Sequence, residues 1–107
     1  MGPEPAGFVA VLTIDLHFPD AGSLKAKRKE LASTKAQLQT RLGAAVAEVD
    51  HQDTWQRATL AATLCSGSLK MLDESVDRVE RWLVDRFPDG VRVERRVTSF
   101  EEAGGLG

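Results

Sequence analysis

Four strand-like stretches and two helix-like stretches, in the order strand, helix, strand, strand, helix, strand, predict an α+β sandwich for this 107-residue chain. Each predicted helix carries one apolar stripe, and each predicted strand has one apolar face. The economical packing is a four-stranded antiparallel sheet with both helices on one side.

Residues 8–18, "FVAVLTIDLHF", alternate with period two. Phe8, Ala10, Leu12, Ile14, Leu16 and Phe18 share one face, and Val9, Val11, Thr13, Asp15 and His17 share the other. "PDAG" breaks this strand. A helix follows, with Ser23 as its N-cap and no acidic residue at position 26 to complete a capping box. Leu24, Leu31, Leu38 and Leu42 recur at helical spacing up to Gly43, a natural stop. "AVAEVD" and "WQRATLAATLCS" are the second and third strands, with "HQDT" as a short turn between them. A turn centred on Gln52 and Asp53 sets Glu48 opposite Arg57 and Asp50 opposite Trp55. It places Ala47 and Val49 on the face of Ala58 and Leu60. Gly67 and Ser68 open a second helix, whose stripe is Leu69, Leu72, Val76, Val79 and Leu83. Phe87-Pro88 ends it. "VRVERRV" is the fourth strand, with Val91, Val93 and Val97 inward and Arg92, Glu94 and Arg96 outward. With right-handed crossovers this order defines the ferredoxin-like split βαβ fold (βαββαβ), strand order 4-1-3-2. Residues 8–98 form the single domain. Residues 1–7 are expected to be a flexible N-terminal extension and 99–107 a flexible C-terminal tail.

Composition narrows the function classes. Apolar residues make up 42% and charged residues 28%, as in a globular domain. The net charge of −2 gives no global attraction to nucleic acid or membrane. The distribution is uneven: residues 1–45 hold six Lys/Arg against four Asp/Glu, and 46–90 hold five against nine. The one cysteine, Cys65, allows no intramolecular disulfide and suits a reducing compartment. Neither a signal peptide nor a membrane-length apolar run is evident, so a cytoplasmic location is expected.

The local excess of cations is Lys25, Lys27, Arg28 and Lys29, just after Ser23. This is the unfavourable end of a helix for cations, because its free N–H groups already carry partial positive charge. A bound phosphate at Ser23, Lys25, Lys27, Arg28 and Lys29 would remove the mismatch. The competing reading is structural. About 100° per residue puts Arg28 within about 40° of Leu24, and Lys35 closer still, so their stems would cover apolar surface while their heads reach water.

The open sheet face offers a second surface: Val9, Val11, Thr13, Asp15 and His17 with Trp55 and Arg57 at its rim. Such a half-apolar face suits a self-dimer or a covering loop. RNA-recognition sheets stack bases on aromatic residues of the central strands, but here those positions hold valine and threonine. Catalytic readings are thinner. His17 and Asp15 with Glu48 and Asp50 can be drawn as an imidazole–carboxylate site. His17, His51 and Cys65 have no metal-ligand spacing, and Cys65 reads as a small buried hydrophobe. No phosphate loop, dinucleotide fingerprint or nucleophile elbow is present, so neither cofactor, metal nor small-molecule substrate is expected.

"LHFPDAGSLKAKR", followed by "VAEVDHQDTWQRATL", resembles the YlxP-like family of small bacterial proteins, a domain of unknown function. The resemblance spans roughly residues 8–98 and rests on His17, Pro19, Ser23-Leu24-Lys25, Lys27-Arg28, Glu48-Val49 and Trp55-Gln56-Arg57-Ala58. It implies a ferredoxin-like α+β sandwich and genes commonly near those for translation and ribosome maturation. It implies no activity and no catalytic residues. Ala26 stands where many relatives are expected to carry an acidic residue, which leaves this helix start more positive. The function expected is non-enzymatic binding of RNA or ribonucleoprotein through the start of the first helix. A dimeric interaction module using the open sheet face is the alternative, and a small His/carboxylate enzyme comes third.

Overall fold

The structure, a computed structural model, describes residues 6–104 apart from residue 89. The rest of the expected N-terminal extension (1–5) and C-terminal tail (105–107) lies outside the described residues. The elements are β1 (Phe8–His17), α1 (Leu24–Thr40), β2 (Ala45–Asp50), β3 (Arg57–Ser66), α2 (Leu69–Arg86), β4 (Val91–Ser99) and α3 (Phe100–Gly104). The four strands form one antiparallel sheet in the order β2-β3-β1-β4. This is the ferredoxin-like α+β sandwich that the element order predicts.

The alternation of β1 decides the layering. Ala10, Leu12, Ile14 and Leu16 are fully buried beneath the helices, with Ala58, Leu60, Ala62 and Leu64 of β3 beside them. Burying each leucine or isoleucine contributes about 1.5–3 kcal/mol, so this strand pair anchors the fold. From α2, Leu72, Val76, Val79 and Leu83 complete the core, while Leu69, expected in the same stripe, is exposed. Both long helices start on a serine cap. Ser23 Oγ accepts from Ala26 N–H at 3.1 Å and Ser68 Oγ accepts from Met71 N–H at 3.2 Å. Gly43, in the left-handed region at φ 70°, turns the chain out of α1.

Three sequence expectations need correction. The buried face of α1 is Lys27, Leu31, Thr34 and Leu38, so its centre lies a turn-fraction away from Leu24. Arg28 is therefore exposed, and Lys27 is the cation that the core receives. The β2–β3 register also differs. Ala47 faces Ala61 and Glu48 faces Leu60, because the connection runs from His51 to Gln56 rather than four residues. The expected register paired Glu48 with Arg57, so the slip is three residues. An odd slip exchanges the two faces of a strand. Val46 and Glu48 thus lie on the helix side, and Ala45 and Ala47 on the open side, with a bulge at Val49 before Asp50 meets Thr59. Lastly, where a tail is expected from Ser99, β4 includes that residue and α3 follows. Phe100 N–H donates to Gly7 C=O at 2.6 Å.

Arg95 closes the β4 edge. Alternation directs it to the helix side, where its guanidinium meets Asp77 Oδ1 at 2.8 Å and Glu80 at 2.8 and 3.1 Å. Those bonds, Glu80's first, hold Arg95 protonated well beyond its ordinary range.

Candidate functional site

One end of the sandwich gathers the start of α1, which bears the sequence-predicted cations, and the loops around it. There β1 runs out into residues 18–23 and α1 begins, while β2 turns into β3 and α2 returns to β4. The β2–β3 loop is tied to the start of α1 by one buried lysine. Lys27 is 1% exposed. Its Nζ donates to Glu48 Oε2 at 3.2 Å and to the carbonyls of His51 and Gln52 at 2.7 and 3.5 Å. An ammonium has three donors, and here all three find acceptors. His51 sits at φ 61°, a left-handed conformation that a histidine adopts at some cost, and its carbonyl faces Lys27. Backbone contacts complete the seam: Phe18 N–H donates to Gln56 C=O at 2.9 Å, and Gln56 Nε2 donates to Pro19 C=O at 3.4 Å.

Lys27 is thus committed to the fold and is not an exposed phosphate ligand. Its charge is matched by Glu48, whose carboxylate the sequence assigns to Arg57. Lys25, Arg28 and Lys29 remain exposed on α1, and no acidic residue occupies its first turn. Ser23 Oγ caps the helix. Trp55, 53% exposed, lies in the loop before β3 rather than in the strand, and Arg57 opens β3 nearby.

The open face holds the residues expected there. Val9, Val11, Thr13, Asp15 and His17 stand opposite Cys65, Thr63, Ala61, Thr59 and Arg57 of β3. From β4, Thr98, Arg96, Glu94 and Arg92 stand opposite the first four. Val11 is 41% exposed. Thr59 donates its hydroxyl to Asp15 Oδ1 at 2.8 Å. Cys65 is exposed on this face, not buried, because Leu64 takes the inward position.

The drawn imidazole–carboxylate site does not assemble. Asp15 is engaged by Thr59, Glu48 lies across the sheet against Lys27, and Asp50 accepts from His51 N–H at 2.7 Å. His17 is held through its backbone, whose N–H donates to Gly90 C=O at 2.8 Å. Among the described residues no group of His, Cys, Asp and Glu is placed to hold a metal ion. Nor is any helix long and apolar enough to cross a membrane.

Sequence reasoning missed one feature, a cleft of about 450 Å³ between residues 18–21 and the α2–β4 turn. Glu30 and Arg86 line it, joined at 3.3 Å, with His17 and Asp20 at its margin. Its signal is faint in the sequence, because Glu30 and Arg86 are 56 positions apart.

Fold and site together define a small ferredoxin-like α+β protein whose loop end displays Lys25, Arg28, Lys29 and Trp55. Comparison with known proteins places it more closely. A family model described as a protein of unknown function (DUF503) matches residues 9–96. The uncharacterized protein YlxP of Bacillus subtilis (strain 168) is 34% identical over 82 residues, which cover 77% of this chain and 85% of the relative. The chain belongs to this YlxP-like family of unknown function. Among solved structures, the de novo designed protein Foldit4 aligns with a TM-score of 0.54 at 13% identity, over 86% of this chain and 96% of its own. The 30S ribosomal protein S6 of Thermotoga maritima aligns with a TM-score of 0.51 at 9% identity, over 91% and 92%. Both likenesses are of fold.

Proposed function

We propose that the protein is a non-enzymatic binder of single-stranded RNA or of an RNA-bearing particle, acting in the cytoplasm through its loop end. The observation that carries this reading is the Lys27 tie. It holds the loop bearing exposed Trp55 against a helix start that displays Lys25, Arg28 and Lys29 without a carboxylate in its first turn. Cations and helix N–H groups suit phosphates, and an exposed indole suits an unstacked base. Binding of a labelled RNA oligonucleotide over a salt series tests it. Three phosphate contacts on a single strand give a log–log slope of about −2, and Lys25→Ala or Arg28→Ala each flatten it by about 0.7. Absence of salt-dependent binding at low ionic strength would overturn the reading.

A second reading is favoured by Val11, which stands wet at the centre of the open face with Ala47 and Ala61 as flat neighbouring ground. In this reading two copies pair face to face. Val11→Arg then converts a dimer to a monomer in sedimentation, and a monomeric unmutated protein excludes it.

A further inference from the structure

The two edges of the sheet differ. β2 is six residues long and bulged at Val49, which blunts it as a pairing edge. β4 runs for nine residues and keeps one register with β1 throughout. Its bonding pattern follows from its two ends. His17 N–H donates to Gly90 C=O at 2.8 Å, and Phe100 N–H donates to Gly7 C=O at 2.6 Å. In an antiparallel pair only alternate residues bond to a given neighbour. Arg92, Glu94, Arg96 and Thr98 therefore turn their backbone groups to β1, and Val91, Val93, Arg95 and Val97 turn theirs outward. Among the described residues no strand lies beyond them. The Arg95 side chain ties β4 to α2, but its backbone N–H and C=O stay at the open edge.

We infer that β4 pairs antiparallel with β4 of a second copy of this chain, joining two four-stranded sheets into one. The inference is independent of the RNA reading and uses a different surface from the face-to-face pair. What carries it is that β4 is complementary to itself in one register. With the two-fold axis at Arg95, all nine residues overlap. Glu94 of each copy then stands opposite Arg96 of the other on the open side of the sheet. Val93 stands opposite Val97 on the helix side, where Val97 is 39% exposed and gains apolar cover. The two Arg95 side chains meet at the axis, each already neutralised by Asp77 and Glu80 of its own α2. A slip of two residues sets Glu94 against Glu94 or Arg96 against Arg96. A slip of four shortens the nine-residue ladder to five, and an odd slip exchanges the faces. Charges on an edge strand ordinarily block pairing, but here their order of sign specifies a single pairing.

Sedimentation of the full chain over a concentration series tests this, with a concentration-dependent dimer expected for the parent. Glu94→Arg sets arginine against Arg96 at two places, and Arg96→Glu sets glutamate against Glu94 at two places. Each is expected to weaken dimerisation about tenfold or more. The double variant Glu94→Arg/Arg96→Glu has the parent composition and restores the complementarity, so the dimer returns. Both positions are exposed, so the variants keep the fold, and thermal melts verify it. Val11→Arg leaves this dimer intact, unlike the face-to-face pair. Amide exchange supplies a second readout: the N–H groups of Val93, Arg95 and Val97 slow as concentration rises. A parent that is monomeric throughout the series overturns the inference, as does a dimer that both single swaps leave intact. A double variant that stays monomeric at parent stability overturns it too. Loss of the dimer in Val11→Arg, with exchange at Val93, Arg95 and Val97 independent of concentration in the parent, overturns it in favour of the face-to-face pair.

Discussion

The Lys27 ammonium lies 3.2 Å from the Glu48 carboxylate, and it comes from a side chain that is 1% exposed, at the N-terminal end of the buried face of α1. A charge there is sustained only by full satisfaction, which Glu48 and the His51 and Gln52 carbonyls provide. Lys27→Ala removes the cation, opens a cavity and leaves Glu48 partly buried without a partner. Breaking a buried pair costs about 3–5 kcal/mol, and since Glu48 retains some exposure the lower end is expected, about 3 kcal/mol. Lys27→Met keeps the packing and should cost less. Urea unfolding of both variants measures the difference; equal losses would show that the ammonium and its hydrogen bonds, not packing, are what the site needs.

The same pair fixes the strand register. A double-mutant cycle between Lys27 and Glu48 is expected to show coupling of about 1–3 kcal/mol. A cycle between Glu48 and Arg57 should show none beyond error, because Glu48 stands opposite Leu60 on the helix side and Arg57 opposite His17 on the open side. Coupling of Glu48 to Arg57 comparable with that to Lys27 would restore the shorter turn.

These two cycles also mark where the sequence stops being legible. Period-two and helical spacing expose β1, α2 and the element order, because those patterns are local and almost purely apolar. They do not expose the β2–β3 register, since Val46, Ala47, Glu48 and Val49 alternate weakly and several registers bury similar areas. The deciding partner of Glu48 comes from α1, 21 positions away. For α1 itself, counting only leucines places the stripe on Leu24 and Arg28. The true face includes Lys27 and Thr34, polar residues that burial tolerates because Nζ has its acceptors and Thr34 Oγ1 donates to Glu30 C=O at 2.9 Å. The Glu30–Arg86 cleft lies further beyond reach, as it exists only once the ends of two helices are brought together.

Gly90 is required for steric reasons. A Cβ built on it would lie 2.5 Å from His17 Cβ, where the two turns cross. Gly90→Ala must push β1 and the α2–β4 turn apart, straining the bond from His17 N–H to Gly90 C=O. A loss of about 1–3 kcal/mol is expected, in the range for overpacking. Gly22→Ala, where a Cβ meets nothing within 4 Å, is the control and should change stability little. Indistinguishable thermal midpoints for the two variants would refute the close approach.

Arg28 separates packing from ligand contact. Its exposed position predicts that Arg28→Ala stays within about 0.5 kcal/mol of the parent stability. A large loss would place its stem on the core after all. If stability holds and RNA affinity falls, the side chain serves the ligand alone.

Lys27 gives the sharpest test of how the loop end works, because it supports the proposed RNA surface without facing it. Lys27→Met frees the His51 and Gln52 carbonyls and leaves the loop of Trp55 tied only through Phe18, Pro19 and Gln56. RNA affinity should therefore fall, since a loosened loop must be ordered on binding. The salt slope should not change, because Lys27 neutralises Glu48 rather than a phosphate. Lys25→Ala is expected to do the reverse: it leaves the loop in place but flattens the slope by about 0.7. Trp55→Ala should weaken binding by about 1–3 kcal/mol without altering the slope, as for a lost stacking ring. Fluorescence titration of all three variants at several salt concentrations reads out both quantities. A flattened slope in Lys27→Met would mean that the lysine leaves Glu48 for phosphate in the complex, and that the tie is broken by the ligand rather than kept for it.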